Sequence, residues 1–290
     1  IAGASLTGGS ADIRLGAGVP PSSGSPYSQY GFGGNGGDIV IDGALNAGIV
    51  NLAITSVDPR FMTTGPSGLI SGSSSITLNN SGGDGGGINL VTKGFSQHNI
   101  FAGTNAGPAA DIAIDVTQVG GNMTINALPA SQALIRLAAP DGQVITNSNV
   151  DTIGGLSLAA QSLNINRPIS TLQGDITLVG NAVTIGSNVS AGTLGIGNLV
   201  VESTSGDIRL TSAAVARAPG DAIILKAKGN IDSQSRLEAT ALDLTATGTI
   251  QALSSTDRVK ARAGGAITLG DADGVELTEV ATTGAGSITV

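Results

Sequence analysis

The sequence predicts an all-β chain wound as a parallel β-helix, or β-solenoid, and three observations carry that prediction. A turn residue, usually Gly, followed by an apolar–polar–apolar triplet recurs from one end to the other, as in Gly37-Asp38-Ile39-Val40-Ile41, Gly174-Asp175-Ile176-Thr177-Leu178, Gly206-Asp207-Ile208-Arg209-Leu210 and Gly265-Ala266-Ile267-Thr268-Leu269. Repetition of this kind marks a fold built by stacking one small unit. Large side chains are scarce, with aromatics at 2%, no Trp and Gly at 45 of 290 residues, while hydrophobic residues still reach 40%. Such a chain fills a thin aliphatic core and not a wide one, and it is too hydrophobic to be disordered. Helical periodicity is weak, and its best stretch, Ala213 to Lys228, is broken by Pro219-Gly220.

Each triplet obeys the two-residue period of a strand with one buried face, so its middle residue points outward. That residue is Thr in Ile76-Thr77-Leu78, Met123-Thr124-Ile125, Val183-Thr184-Ile185 and Ile267-Thr268-Leu269, as a solvated sheet face prefers. From residue 156 onward the triplets begin at Leu156, Ile176, Leu194, Ile208, Ile223, Leu242, Val259 and Val275. A second apolar position follows at Leu163, Val183, Val200, Val215, Ile231, Ile250 and Ile267. The expected unit is therefore two short strands in about 17 residues, giving about 15 to 17 coils and a length of roughly 75 Å at the spacing of sheet strands. Strands this short cannot stand alone, and strands returning once per coil in one direction pair in parallel.

The whole chain, 1–290, reads as one solenoid with two stretches of different regularity. Residues 151–290 make the regular shaft. Residues 1–150 carry triplets at Ile13, Ile39, Ile76, Ile88, Ile112 and Met123, separated by Gly-, Ser- and Pro-rich segments expected to leave the stack as inserted loops at 16–36, 58–73 and 93–108.

Composition excludes several function classes. A net charge of −8 is opposite to a nucleic-acid footprint and to attraction by anionic lipid. It suits a weakly charged surface kept in solution. The absence of Cys removes disulfides, thiolate metal sites and Cys nucleophiles. No apolar run approaches the roughly 20 residues of a bilayer span, so no membrane insertion is expected. Without a starting Met or a signal peptide at Ile1, the chain reads as a mature product or an excerpt of something longer.

The spacing, the Gly-Asp-Ile-x-Leu recurrence and the Ser/Thr/Asn/Gly/Ala-rich background resemble the filamentous-haemagglutinin-like exoproteins, large adhesins of bacterial two-partner secretion. The resemblance is one of repeat style over most of the chain. It implies a right-handed parallel β-helix, export through an outer-membrane secretion partner, and a place in the secreted or cell-surface fraction. It also implies a role in adhesion, aggregation or toxin delivery. The Asn-Pro motifs of that family's secretion domain are absent here, so this segment corresponds to shaft.

The candidate contact residues are aromatic. Tyr27, Tyr30, Phe32, Phe61, Phe95 and Phe101 all lie in or beside the expected loops, and rings on loops over a rigid scaffold supply contact area at little entropic cost. Their expected partner is a host or neighbouring-cell surface or glycan; the alternative role is to cover an exposed groove or edge of the solenoid. Calcium has two candidate locations. Asp38 closes Gly33-Gly34-Asn35-Gly36-Gly37-Asp38, which matches a stacked calcium nonapeptide once without repeating it. Asp271 and Asp273 lie in the densest acidic group, with Glu276 and Glu279. Each location reads equally as a solvated corner, and no cofactor is assigned.

Catalysis lacks a constellation. The 21 acids are scattered beside turn glycines, whereas a glycan-cleaving β-helix needs convergent carboxylates. His98 is the only His, so a Ser–His–acid set has one place to form. The expected function is an extracellular structural and adhesive rod segment with no enzymatic activity. A self-assembling fibre or surface-layer subunit stacking end to end is the alternative, and a polysaccharide-active β-helix enzyme is the third reading.

Overall fold

In this computed structural model the described residues are 134–290, with 114–117, 121–125 and 128; other strands before 134 are described by backbone alone. The chain divides into two compact units, Ile1–Asp141 and Gly142–Val290.

The second unit is a parallel β-solenoid of about 8 turns, without helix. Three strand segments are laid down per turn, each stacked in parallel on its equivalent one turn later. On the first face the register runs Leu156, Ile176, Leu199, Ile223, Leu242, Val259, Leu277. On the second it runs Leu163, Val183, Ile208, Ile231, Ile250, Ile267, Ile288. On the third it runs Val150, Ile169, Val189, Ala216, Leu237, Ser254, Asp271. Successive residues on the first face are 20, 23, 24, 19, 17 and 18 positions apart.

The expected unit of two strands and about 17 residues is thus corrected to three strands and about 20, and the expected 15 to 17 coils to about 8 turns. Two assignments caused the error. Ile208 belongs to the second face, and Leu194 is not in a strand at all: Leu199 is the residue that stacks on Ile176. Similarly Leu277, and not Val275, stacks on Val259.

Alternation explains why these residues make strands, and breaks in the alternation explain the corners. In Ile176–Ile185 the side chains of Ile176, Leu178 and Gly180 point in; Asn181 and Ala182 both face out; Val183 and Ile185 point in again. Two outward residues in succession reset the phase and bend the strand from the first face to the second. Asp257 and Arg258 do the same between the third and first faces in Ile250–Ala263. The inward columns are buried from Leu156 to Val259 and from Leu163 to Ile267. Each fully buried aliphatic side chain is worth about 1.5–3 kcal/mol relative to exposure.

At the corner between first and second faces, Gly229 N–H donates to the Gly206 carbonyl (2.8 Å), Gly248 N–H to Gly229 (2.9 Å) and Gly265 N–H to Gly248 (2.8 Å). A Cβ on Gly229 would overlap the Asp207 carboxylate and stand 2.8 Å from Gly206 backbone. The recurring glycine is therefore fixed here by close approach of one turn to the next.

In the first unit the strand registers are also parallel. Ile39 pairs with Phe61, Phe61 with Ile88, and Ile88 with Ile114. Ile13 pairs with Leu52, Leu52 with Ile76 and Ile76 with Ile100. The first of these steps spans 39 residues and the next two 24 each, so the expected insertion 16–36 falls in the long step. Residues 17–37 lie outside the described residues. The other two expected loops are corrected to a large extent. Arg60–Thr63 and Leu69–Asn80 are strands within or overlapping 58–73, and Ser96–Thr104 is a strand within 93–108. Gly and Ser at strand positions hid these rungs.

Candidate functional site

The wall of the second unit offers three kinds of surface: corner acids, charged columns and one apolar corner.

The acid of the Gly-Asp-Ile motif bonds forward to the next turn, not within its own. Asp175 Oδ1 accepts from Asn198 backbone N–H (2.7 Å) and Asn198 Nδ2 (3.3 Å), and Asn198 Oδ1 in turn accepts from Ala222 N–H (3.2 Å). Asp207 Oδ1 accepts from Asn230 N–H (2.7 Å) and Nδ2 (3.2 Å), and Asn230 Oδ1 from Thr249 N–H (2.8 Å). Asp or Asn immediately before a strand thus satisfies the otherwise unpaired N–H of the equivalent position one turn on. These carboxylates are consumed in holding the stack.

The outward columns alternate charge from turn to turn. Arg217 Nε donates to Glu238 Oε2 at 2.6 Å, Arg262 pairs with Glu279 at 2.5 Å, Lys260 Nζ lies 3.8 Å from Asp243, and Arg209 Nε 3.9 Å from Asp232. Arg209 and Asp232, Arg217 and Glu238, and Asp243 and Lys260 are register partners on adjacent turns. The hydrogen bond from Arg262, with the charges of Arg262 and Lys260, holds the Glu279 carboxyl below its usual range.

Asp271 and Asp273, the calcium candidates of this unit, serve a turn. Asp271 Oδ1 accepts from the N–H of Asp273 (3.0 Å) and of Gly274 (2.8 Å), and its Oδ2 from Ser254 Oγ (2.8 Å). Burial alone would raise the Asp271 carboxyl; bonds from Ser254 and from the backbone of Asp273, Gly274 and Thr256 outweigh it and hold it low. Four donors fill the lone pairs of one carboxylate. Asp273 Oδ2 accepts from Ser255 Oγ at 2.5 Å. Among the described residues no group of three or more His, Cys, Asp or Glu could hold a metal ion.

The apolar corner was not legible as such. Leu194 and Ile196, which the repeat count placed inward, are 64% and 70% exposed, and Leu172 one turn earlier is 39% exposed. Their backbone is fully engaged: Thr193 N–H donates to Thr171 O (3.0 Å), Leu194 N–H to Leu172 O (3.0 Å), Gly195 N–H to Gly192 O (2.7 Å) and Gly174 N–H to Ile196 O (2.9 Å). Gly192 N–H reaches Thr171 Oγ1 (3.0 Å), itself buried. Gly192, Gly195 and Gly197 adopt positive φ of 57°, 103° and 152°, conformations that side chains disfavour. Two signals could have found this corner: three glycines in six residues, and Asn198 aligning with Asp175 as the residue before the strand.

Of the aromatic candidates, Tyr27, Tyr30, Phe32 and Phe95 lie outside the described residues. Phe61 and Phe101 lie on strands, in register with Ile39 and Thr77, and not on loops as expected. Asp38 begins the strand Asp38–Ile41, and His98 lies on Ser96–Thr104 opposite Ser74; the side chains of both lie outside the described residues. No helix among the described residues is long and apolar enough to cross a membrane.

Fold and wall define a class: a parallel β-solenoid whose polar side chains largely tie turn to turn. Comparison with protein-family models, curated proteins and solved structures finds no match to this chain.

Proposed function

We propose that this chain is a structural and adhesive segment of a secreted bacterial surface protein, a stiff rod that carries contact surfaces and performs no catalysis. One observation carries the reading. The ionisable side chains of the regular turns pair across turns, as in Arg217–Glu238 and Asp207–Asn230, and do not converge on a shared reacting point. A wall organised this way resists bending and slippage, which is what a spacer needs. The likeness of repeat style to filamentous-haemagglutinin-like exoproteins supports export by an outer-membrane partner and a cell-surface location.

The test uses two measurements. Beads coated with the purified 290-residue chain should adhere to host or neighbouring cells above beads coated with the unfolded chain. Fractionation of the producing bacterium should place the chain in the medium or within reach of external protease. Absence of adherence together with a purely internal location contradicts the proposal.

The second reading, a fibre or surface-layer subunit stacking end to end, draws on Leu277, Ile288 and Val290, which are exposed on and beside Glu276–Thr282 and Ile288–Thr289. Unpaired strand edges invite further pairing. Filaments in electron micrographs of the purified chain support it; monodisperse particles support the first reading.

A further inference from the structure

The apolar corner has properties that select its partner. It is convex, because its residues form a turn between the third and first faces. It is preorganised, because its N–H groups and carbonyls are tied to neighbouring turns. It is small: Leu194 and Ile196 together expose on the order of 200 Å² by the usual area of a buried aliphatic side chain. A stable protein interface needs roughly 800 Å² from each partner, so this corner falls well short of a dimer contact. A glycan would ask for an aromatic platform, and residues 102–290 contain no aromatic. The ionisable groups beside the corner are acids: Asp175, bonded to Asn198, and Asp221, whose Oδ2 accepts from Gly197 N–H at 3.3 Å. They repel anionic lipid. Between the two aliphatics stands only Gly195, and the flanking residues are Thr193 and Gly197, so no long polar side chain keeps Leu194 and Ile196 from entering a headgroup layer.

We propose that the corner formed by Leu172, Leu194 and Ile196 is a docking point for a zwitterionic lipid surface, with Leu194 and Ile196 entering the interface between headgroups and acyl chains. The contact is peripheral and involves no spanning segment. It does not depend on the adhesive role proposed above, which is read from cell adherence and location. Two short side chains bury fewer methylenes than one myristoyl chain, so a single corner binds more weakly than about 10⁴ M⁻¹. Several corners held together on one surface would gain by avidity.

Sedimentation of the full 290-residue chain with sucrose-loaded vesicles of pure phosphatidylcholine tests the proposal, at up to about 10 mM lipid, roughly a hundred times the reciprocal of that constant. The chain is expected to sediment with the vesicles, and replacing some of the phosphatidylcholine by phosphatidylglycerol is expected not to strengthen binding. The double variant Leu194→Ser/Ile196→Ser, with unchanged circular dichroism because both side chains are exposed, is expected to bind at least tenfold more weakly. A chain that stays in the supernatant at the highest lipid concentration overturns the proposal, as does a double variant that binds as well as the wild type. Concentration-dependent self-association on size exclusion that the double variant abolishes assigns the corner to a second copy and also overturns it.

Discussion

The turns from Leu156 to Ala227 and those from Ile231 to Val290 hold the same parallel register by different means. In the earlier turns the interior is aliphatic on all three faces: Ile165, Ile185 and Leu210 on the second, and Ile169 and Val189 on the third, are buried. The outer side of the first face there is small or apolar, with Ser157, Thr177, Val200 and Ile224 in one column. In the later turns that column becomes Asp243, Lys260, Glu279, and the interior admits Ser233, Ser235, Ser254 and Thr256. The spacing changes too, from 23 and 24 residues per turn to 19, 17 and 18. Packing specifies register where the core is aliphatic; alternating charge adds to it where the core is mixed, because a slip of one turn would set like charges side by side.

The largest break in this comparison comes from the aliphatic core. Leu178→Ala is expected to cost about 2–5 kcal/mol of stability, as for other buried leucines, and Leu178→Asp more, by leaving a charge buried without a partner. Denaturant titration measures both. A loss below about 0.5 kcal/mol, within the range of ordinary surface substitutions, would show that the inward columns are not the core. Next, Gly229→Ala forces a methyl against Asp207 and the Gly206 backbone. It should cost about 1–3 kcal/mol as overpacking does, while the same change at Gly195, where a Cβ meets nothing within 4 Å, carries the strain of its φ without the clash.

Much of this was legible in the sequence, and what was missed has a physical cause. Alternation identified the inward residues of Ile176–Leu178, Ile223–Leu225 and Ile267–Leu269, since period two survives wherever a strand has one buried face. It could not say which face a triplet belongs to. Ile208-Arg209-Leu210 and Leu199-Val200-Val201 look alike in one dimension, and only their stacking on Val183 and Ile176 separates them. Leu194-Gly195-Ile196 has the triplet's polarity pattern in a turn where its glycines, not its leucine, decide the backbone. The Gly-Asp pair was read as a local turn cap; its bond to a residue 23 positions on has no local trace. Asp271 and Asp273 drew notice as an acidic cluster, but the donors that occupy Asp271, among them Ser254 17 residues before it, become visible only when turns are stacked.

Smaller effects sharpen the contrast in the later turns. Asp271 and Glu279 have depressed folded-state values. Their contribution is present above the ordinary carboxylate range, near about pH 4, and is lost as pH falls through the lower folded values. The unfolding midpoint should therefore hold steady above about pH 5 and decline below about pH 4, and Asp271→Asn should make that decline shallower. An unchanged acid profile in the variant would contradict the role given to Asp271. The smallest effect is a gain. Thr256 Oγ1 and Ser235 Oγ are buried with no hydrogen-bond partner among the described residues. Thr256→Val keeps the shape and removes the orphaned hydroxyl, so it should be neutral or stabilising by up to about 1 kcal/mol; a clear loss by calorimetry would mean that the hydroxyl is satisfied.

The absence of native cysteine makes one direct test of the register available. Thr177 and Val200 are outward register partners on adjacent turns, at a separation that suits a disulfide. A chain carrying Thr177→Cys and Val200→Cys should cross-link within one molecule on mild oxidation, and a chain carrying Thr177→Cys and Gly195→Cys, the pairing that an unbroken repeat count implies, should not. Efficient cross-linking of 177 with 195 and none of 177 with 200 would contradict the stacking on which the account rests.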